Sequence, residues 1–391
     1  MHTSCGNSVI KTFKARHILL NSRSITPTFK PKATIEKALQ TPTTTFDIQA
    51  KLEFLREDLS HLFDDKGIDA NAYEAVVDFR DPITKYSDLS GYLFNIAFLK
   101  QAFNPCFELH DIWVSDPNAV TTRWTMSMEL TATQNVPIIK DVFKPIIVFT
   151  GTSTYVFNPN SGKIFRHIDV WDSISNQEYF SIEGFVDFFK QLLKPYTTPD
   201  LESPQYTLLK RCKDYEIRRY EPFTVAESPS IDVKQKAVRP ATASFDQTGA
   251  SGRSGEPSAF QALASYLFGK NDRGLVMKMT TPVYSDSAGA LQFVIGSEVA
   301  KDPPKPLSPG ISIRAQNGGL YAVRVFNGIA STTSAQKELS ELRAGLIRDK
   351  LETADVDWTL ARYNEPSTPD VLRRNEILLK ISEDTFQKTW R

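Results

Sequence analysis

A chain of 391 residues is longer than one hydrophobic core usually serves, so two domains are expected. Its 46 basic and 46 acidic residues cancel, which excludes bulk electrostatic attraction to nucleic acid or an anionic membrane, and no apolar run is long enough to cross a bilayer. The three cysteines, Cys5, Cys106 and Cys212, are too scattered for a metal-binding set.

Residues 1–46 differ in kind from the rest. Lys11, Lys14, Arg16, Arg23, Lys30, Lys32 and Lys37 stand against a single acid, Glu36, in a Ser/Thr-rich stretch with no continuous apolar core. That pattern suits a disordered organellar transit peptide better than a secretory signal. Residues 47–196 form the first expected domain. Leu52, Leu55, Leu59, Leu62 and Phe63 recur at helical spacing. The stretch "GIDANAYEAVVDFRDPITKYSDLSGYLFNIAFLKQAF" reads as short helices interrupted at Asp81–Pro82. Four strand-like runs follow from Cys106 to Ile174, and "SIEGFVDFFKQLL" closes the domain as an amphipathic helix. Helices before a strand meander make an α+β pattern.

Prolines punctuate "KPYTTPDLESPQ", so residues 197–205 are expected to be an extended linker to a second domain, 206–391. There the order strands–helix–strands occurs twice, which suggests two similar halves. In "AFQALASYLF", Phe260, Leu263, Ala264, Leu267 and Phe268 make one apolar stripe. A short polar turn, "GKNDRG", leads to "LVMKMTTPV", where alternation puts Met277 and Met279 on one strand face. The stripe either packs on the sheet or borders an apolar cleft with Lys270 and Arg273 at its rim to meet carboxylates. The helix Ser334–Leu351, with Leu339, Leu342, Leu346 and Ile347, reads as a surface helix with one apolar face.

In order and spacing, "YEIRRYEPFTVAE", "YLFGKNDRGLVMKMTTPV", "DPPKP" and "RRNEILLK" resemble the SOUL/haem-binding-protein family from about Tyr206 to Ile381. The resemblance implies a distorted antiparallel barrel of two βαββ-like halves flanked by two helices. It also implies haem or another tetrapyrrole bound at an apolar surface around the first helix. Carried over, Phe260, Leu263, Ala264, Leu267 and Phe268 are the helical wall, with Met277 and Met279 beside it. Positions where some members carry bases are Pro257 and Ser265 here, which shifts the carboxylate contacts to Lys270, Arg273 or Arg253. The five histidines are His2, His17, His61, His110 and His167, so the second domain has no imidazole to ligate iron. The other ligand types there are the Met277 or Met279 thioether, the Tyr266 or Tyr284 phenolate and the Cys212 thiolate. A grip without an axial ligand is the favoured expectation, with the methionines as soft apolar wall.

In the first domain, "RHIDVWD" sets His167, Asp169 and Trp171 on one strand face. "VDFRDPITKY" and "HIDVWDSISNQEYFSIEGF" are similar to an NTF2-like domain of unknown function, found fused to SOUL domains in photosynthetic organisms. The similarity implies a cone of helices on a curved antiparallel sheet. His167 and Asp169 are then secondary catalytic candidates for acid–base work, against the plainer reading of a structural hydrogen-bonded pair. Tyr73, Asp78, Arg80 and Asp81 are further candidates for the same cone.

The expected function is tetrapyrrole binding as a carrier or buffer, with an enzyme of tetrapyrrole turnover as a candidate partner. The basic leader together with the resemblance points to the chloroplast (plastid) first and the mitochondrion second. The alternatives are an enzyme acting in the cone, and a scaffold in peripheral contact with a membrane or lipid droplet.

Overall fold

A computed structural model describes residues 46–131, 146–175, 177, 179–193, 198–229 and 259–390. The expected leader, almost all of it, and Arg253 lie outside them.

In the first domain, α1 (Ile48–Leu59) buries Leu52, Leu55 and Leu59. After it come β1 (Tyr73–Arg80), β2 (Lys85–Tyr86), α2 (Leu89–Ala102), β3 (Phe103–Asp116), β4 (Ala119–Leu130), β5 (Ile146–Phe157), β6 (Ile164–Trp171) and α3 (Ile182–Leu192). Asp88 and Ser181 cap α2 and α3, each accepting a hydrogen bond from a backbone N–H of the first turn. The strands make one sheet in the order β2-β1-β6-β5-β4-β3. This element order is the one expected of an NTF2-like domain. Two details differ. "YEAVVDFR" is a strand and not a helix, because pairing with β6 places Val77 and Phe79 in the core and outweighs local helix preference. That β1–β6 ladder is also parallel, so the sheet is mixed. Gly151 is required where β5 meets β6: a Cβ there would lie 2.1 Å from Val170 O.

The second sheet is built from β7 (Tyr206–Arg211), β8 (Glu216–Tyr220), β9 (Phe223–Ser228), β10 (Val283–Asp286), β11 (Leu291–Val294), β12 (Ser312–Gln316), β13 (Gly319–Asn327), β14 (Thr353–Arg362) and β15 (Arg374–Ile381). Three helices accompany it: α4 (Ala259–Leu267), α5 (Thr332–Arg348) and α6 (Glu383–Trp390). The order β12-β9-β11-β10-β14-β15-β13-β8-β7 is antiparallel throughout. From β12 to β8 it reads the same from either end: β9-α4-β10-β11 matches β13-α5-β14-β15. Each half also lends its leading strand to the other, β8 pairing with β13 and β12 with β9. The expected duplication is therefore present, with exchanged outer strands. The sheet curls into an antiparallel half-barrel with β12 and β7 at its ends, the form the expected distorted barrel takes here.

Cores under α4 and α5 cover one face of this sheet. The opposite face holds Tyr220, Tyr284, Val323, Tyr363 and Leu378 around a buried charge cluster. There Arg218 donates to Glu376 Oε2 at 3.0 Å and Tyr363 OH donates to the same oxygen at 2.8 Å, while Arg374 closes on Oε1. Edge strand β7 is sealed by the first domain. Thr125 Oγ1 donates to Leu208 O, and Arg211 N–H donates to Thr150 Oγ1, each at 2.7 Å. The unforeseen helix α6 completes the junction: Trp390 lies 5.0 Å over the Arg123 guanidinium, itself paired with Asp172.

Candidate functional site

Beyond Leu267 the chain folds back on the end of α4. Met277 N–H donates to Leu267 O at 2.9 Å, and Phe268 bridges Val276. Gly269 (φ 102) and Gly274 (φ 60) supply the left-handed conformations that this reversal needs. Asn271, buried, is its hub. Its Nδ2 donates to the carbonyls of Tyr266 (3.1 Å) and Leu275 (2.7 Å), and its Oδ1 accepts from the N–H groups of Arg273 and Leu275. A second loop, 296–311, closes against the first. Tyr266 OH donates to Pro304 O at 2.8 Å, and Asp272 and Lys305 exchange two hydrogen bonds. Arg273 pairs with Asp302 at 2.8 Å, and Lys278 with Glu298 at 2.9 Å. The result is a two-loop platform at one end of the sheet.

The platform sorts the predicted residues into two sets. Leu263, Leu267 and Met277 are in the core with Leu291 and Phe293, so this part of the stripe packs on the sheet. Phe260 and Ala264 are half-buried at the margin, Phe260 standing edge-on to Phe293 at 5.3 Å. Phe268 is 58% exposed, Val276 67% and Met279 43%, with Leu275 and Leu307 also open. The shared strand face expected for Met277 and Met279 does not form, for Met277 is 4% exposed. The Asn271 hub and the Gly274 turn hold residues 271–282 in an irregular path, and regular pairing starts only at Val283. Lys270, Lys301 and Lys305 are exposed around the platform. Leu275, Val276 and Leu307 escaped sequence reading because alternation assigns faces without saying which face is covered.

Burial also sorts the possible iron ligands. It pushes the Tyr266 phenol up to about 12 and the Cys212 thiol up to about 12, and it holds the Tyr284 phenol well above its ordinary value. Phenolate and thiolate forms at these positions are disfavoured, and the Met277 sulfur is in the core. Of the five side chains considered, only Met279 is reachable.

His167 and Asp169 do come together in the first domain. His167 Nδ1 is 3.1 Å from Tyr92 OH, and its Nε2 approaches Asp169 Oδ1 to 2.8 Å without the alignment of a hydrogen bond. The imidazole stacks on Tyr155 at 4.0 Å and meets Phe79 and Tyr92 edge-on. Asp169 accepts from Ser153 Oγ, which accepts from Trp124 Nε1 at 2.7 Å. This chain of polar contacts is enclosed by aromatic rings, and the imidazole is buried, an arrangement that fits a structural pair better than an acid–base site. Tyr73 is buried beside them, with its ring 5.5 Å from that of Tyr92. Asp78 and Arg80 pair with each other at the surface, whereas Asp81 caps the turn to Thr84, and burial first, with the Asp169 charge also acting, pushes its carboxyl up to about 6.

Comparison with known proteins supplies two family matches. Residues 201–380 match the family described as SOUL heme-binding protein, and residues 49–167 match an uncharacterized conserved family, DUF2358. Heme-binding protein 2 of Homo sapiens is 31% identical over 186 residues, spanning 44% of this chain and 80% of that protein. Heme-binding protein 1 of Bos taurus is 29% identical over 136 residues, spanning 32% and 70%. Solved structures similar to this chain include an NTF2-like protein of unknown function from Exiguobacterium sp. 255-15, at 14% identity and a TM-score of 0.24, covering 32% of this chain and 98% of that one. An LEH-like epoxide hydrolase of M. tuberculosis, at 14% identity and a TM-score of 0.27, covers 37% and 90%.

Proposed function

Because the chain belongs to the SOUL heme-binding family, we propose that it carries or buffers a tetrapyrrole on the two-loop platform. The observation that carries this reading is the open apolar row Phe268, Leu275, Val276 and Met279 beside exposed lysines. Such a surface suits a flat apolar ring with carboxylates at its edge. Covering about 200 Å² of apolar surface would contribute roughly 5 kcal/mol, enough for useful affinity without a bond to the metal.

In this reading Phe268, Val276 and Met279 face the ring, and Phe260 and Ala264 flank it. Leu263, Leu267 and Met277 support that wall from the core. Lys270 meets a carboxylate, and Arg273 does so only by leaving Asp302. No histidine of the second domain ligates iron, because it has none. The basic, acid-poor leader supports delivery to the plastid, where an enzyme of tetrapyrrole turnover is the proposed recipient.

Titration of the full chain with haemin tests the site. Phe268→Asp with Val276→Asp should weaken binding about tenfold or more, near 1.4 kcal/mol, while the melting temperature stays put. Undiminished affinity in that double variant would remove the platform from the reading.

A further inference from the structure

The stretch between the domains does more than connect them. Thr198 Oγ1 accepts from Arg374 Nη1 at 2.8 Å, and Gln205 O accepts from Glu221 N–H at 3.0 Å, so both ends are fastened to the second sheet. Between them, Glu202 touches both platform loops at once. It forms a parallel bridge with Thr280, and its carbonyl accepts from Thr281 N–H at 2.8 Å, just beyond Met279. Its carboxylate Oε1 accepts from Ser297 N–H at 2.7 Å, where the second loop begins. Its Oε2 lies over Gly296, 3.2 Å from where a Cβ would stand. The same carboxylate acts on Lys278, next to Met279.

We propose that Glu202 is a positioning residue for the tetrapyrrole platform, setting the spacing of its two loops and thereby the presentation of Met279 and Val276. This rests on the reading that the platform binds a tetrapyrrole. A neutral side chain of the same length keeps an oxygen for Ser297 N–H, whereas alanine removes that acceptor. The start of the second loop is then left without it, the rest being held by Thr224 Oγ1 on Ala300 O, by Tyr266 OH on Pro304 O and by the first loop. Affinity should therefore follow the acceptor and not the charge.

The test uses the full chain with haemin as the probe and amide exchange as a second readout. Glu202→Ala should raise the haemin dissociation constant about five- to tenfold, a size typical of losing one hydrogen-bond acceptor. It should also speed exchange at Ser297 relative to amides in β13–β15. Glu202→Gln should stay within about twofold of wild type in both readouts. Wild-type protein that shows no saturable haemin binding overturns the platform reading. Saturable wild-type binding with unchanged affinity in Glu202→Ala overturns the role of Glu202 alone. An equal loss in Glu202→Gln would likewise refute the acceptor argument.

Discussion

The two halves of the second sheet use one plan for different ends. In the second half, α5 runs 17 residues, and only residues 349–352 separate it from β14. In the first half, α4 has 9 residues among the described ones, and the irregular stretch 268–282 stands between it and β10. The two halves thus differ after their helices, where one has a four-residue link, 349–352, and the other a loop that holds apolar side chains open to solvent. A duplicated fold can open an apolar surface by lengthening the link between one helix and the next strand, while the strand order beneath stays equivalent.

The largest expected effect tests whether both helices are equally structural. Leu342→Ala under α5 and Leu263→Ala under α4, both fully buried, should each cost about 2–5 kcal/mol in denaturant unfolding. A cost below about 1 kcal/mol for Leu263→Ala would mean that α4 belongs to the movable surface and not to the core.

The second half also reaches the first domain through α6, and this contact should depend on pH. His110 sits 2.8 Å from Thr125 Oγ1 beneath Trp390. Burial, with the Arg123 charge second, lowers its pKa to about 4. Between that value and about 6.5 the unfolded chain binds the proton that the folded chain refuses. Stability should be full above pH 6.5 and fall by up to about 3 kcal/mol on going down to pH 4. His110→Phe should flatten that part of the profile, and an unaltered slope would move its origin elsewhere.

A smaller effect separates the halves by function. Val276→Asp should weaken haemin binding about tenfold, whereas Ile347→Asp, on the exposed side of α5, should change it less than about twofold. Equal losses would make the attraction nonspecific. The smallest effect concerns the sulfurs. Met279→Ala should leave stability within about 0.5 kcal/mol and the Soret maximum in place, and a displaced maximum would identify a thioether ligand.

Much of this architecture was legible in the residues. The α4 stripe, the long strands β4 and β5 and the repeated strands–helix–strands order follow from periodicity, since one face of each element is covered. Where contacts came from distant segments, local pattern failed. "YEAVVDFR" became a strand through β6, and α6 is held by Phe386 and Trp390 in a core assembled from both ends of the domain. For the site, the neighbourhood was legible but its exposed face was not. Met277 and Met279 differ because of Asn271 and Gly274, and alternation does not register a side-chain hub or a left-handed turn. Glu202 looked like part of a spacer because its partners lie far along the chain.

The exchange of β8 and β12 has a consequence for how the protein is made. A chain emerging from its N-terminus completes β9-α4-β10-β11 before β12 and β13 exist. Until about Gln316 has been synthesised β9 lacks a neighbour, and β8 lacks one until about Asn327; bare strand edges are templates for wrong pairing. Neither half can therefore be cut out as an autonomous module, and a fragment ending before Ser312 should self-associate instead of binding ligand. The repeat is an interlock that closes only when its last third is delivered.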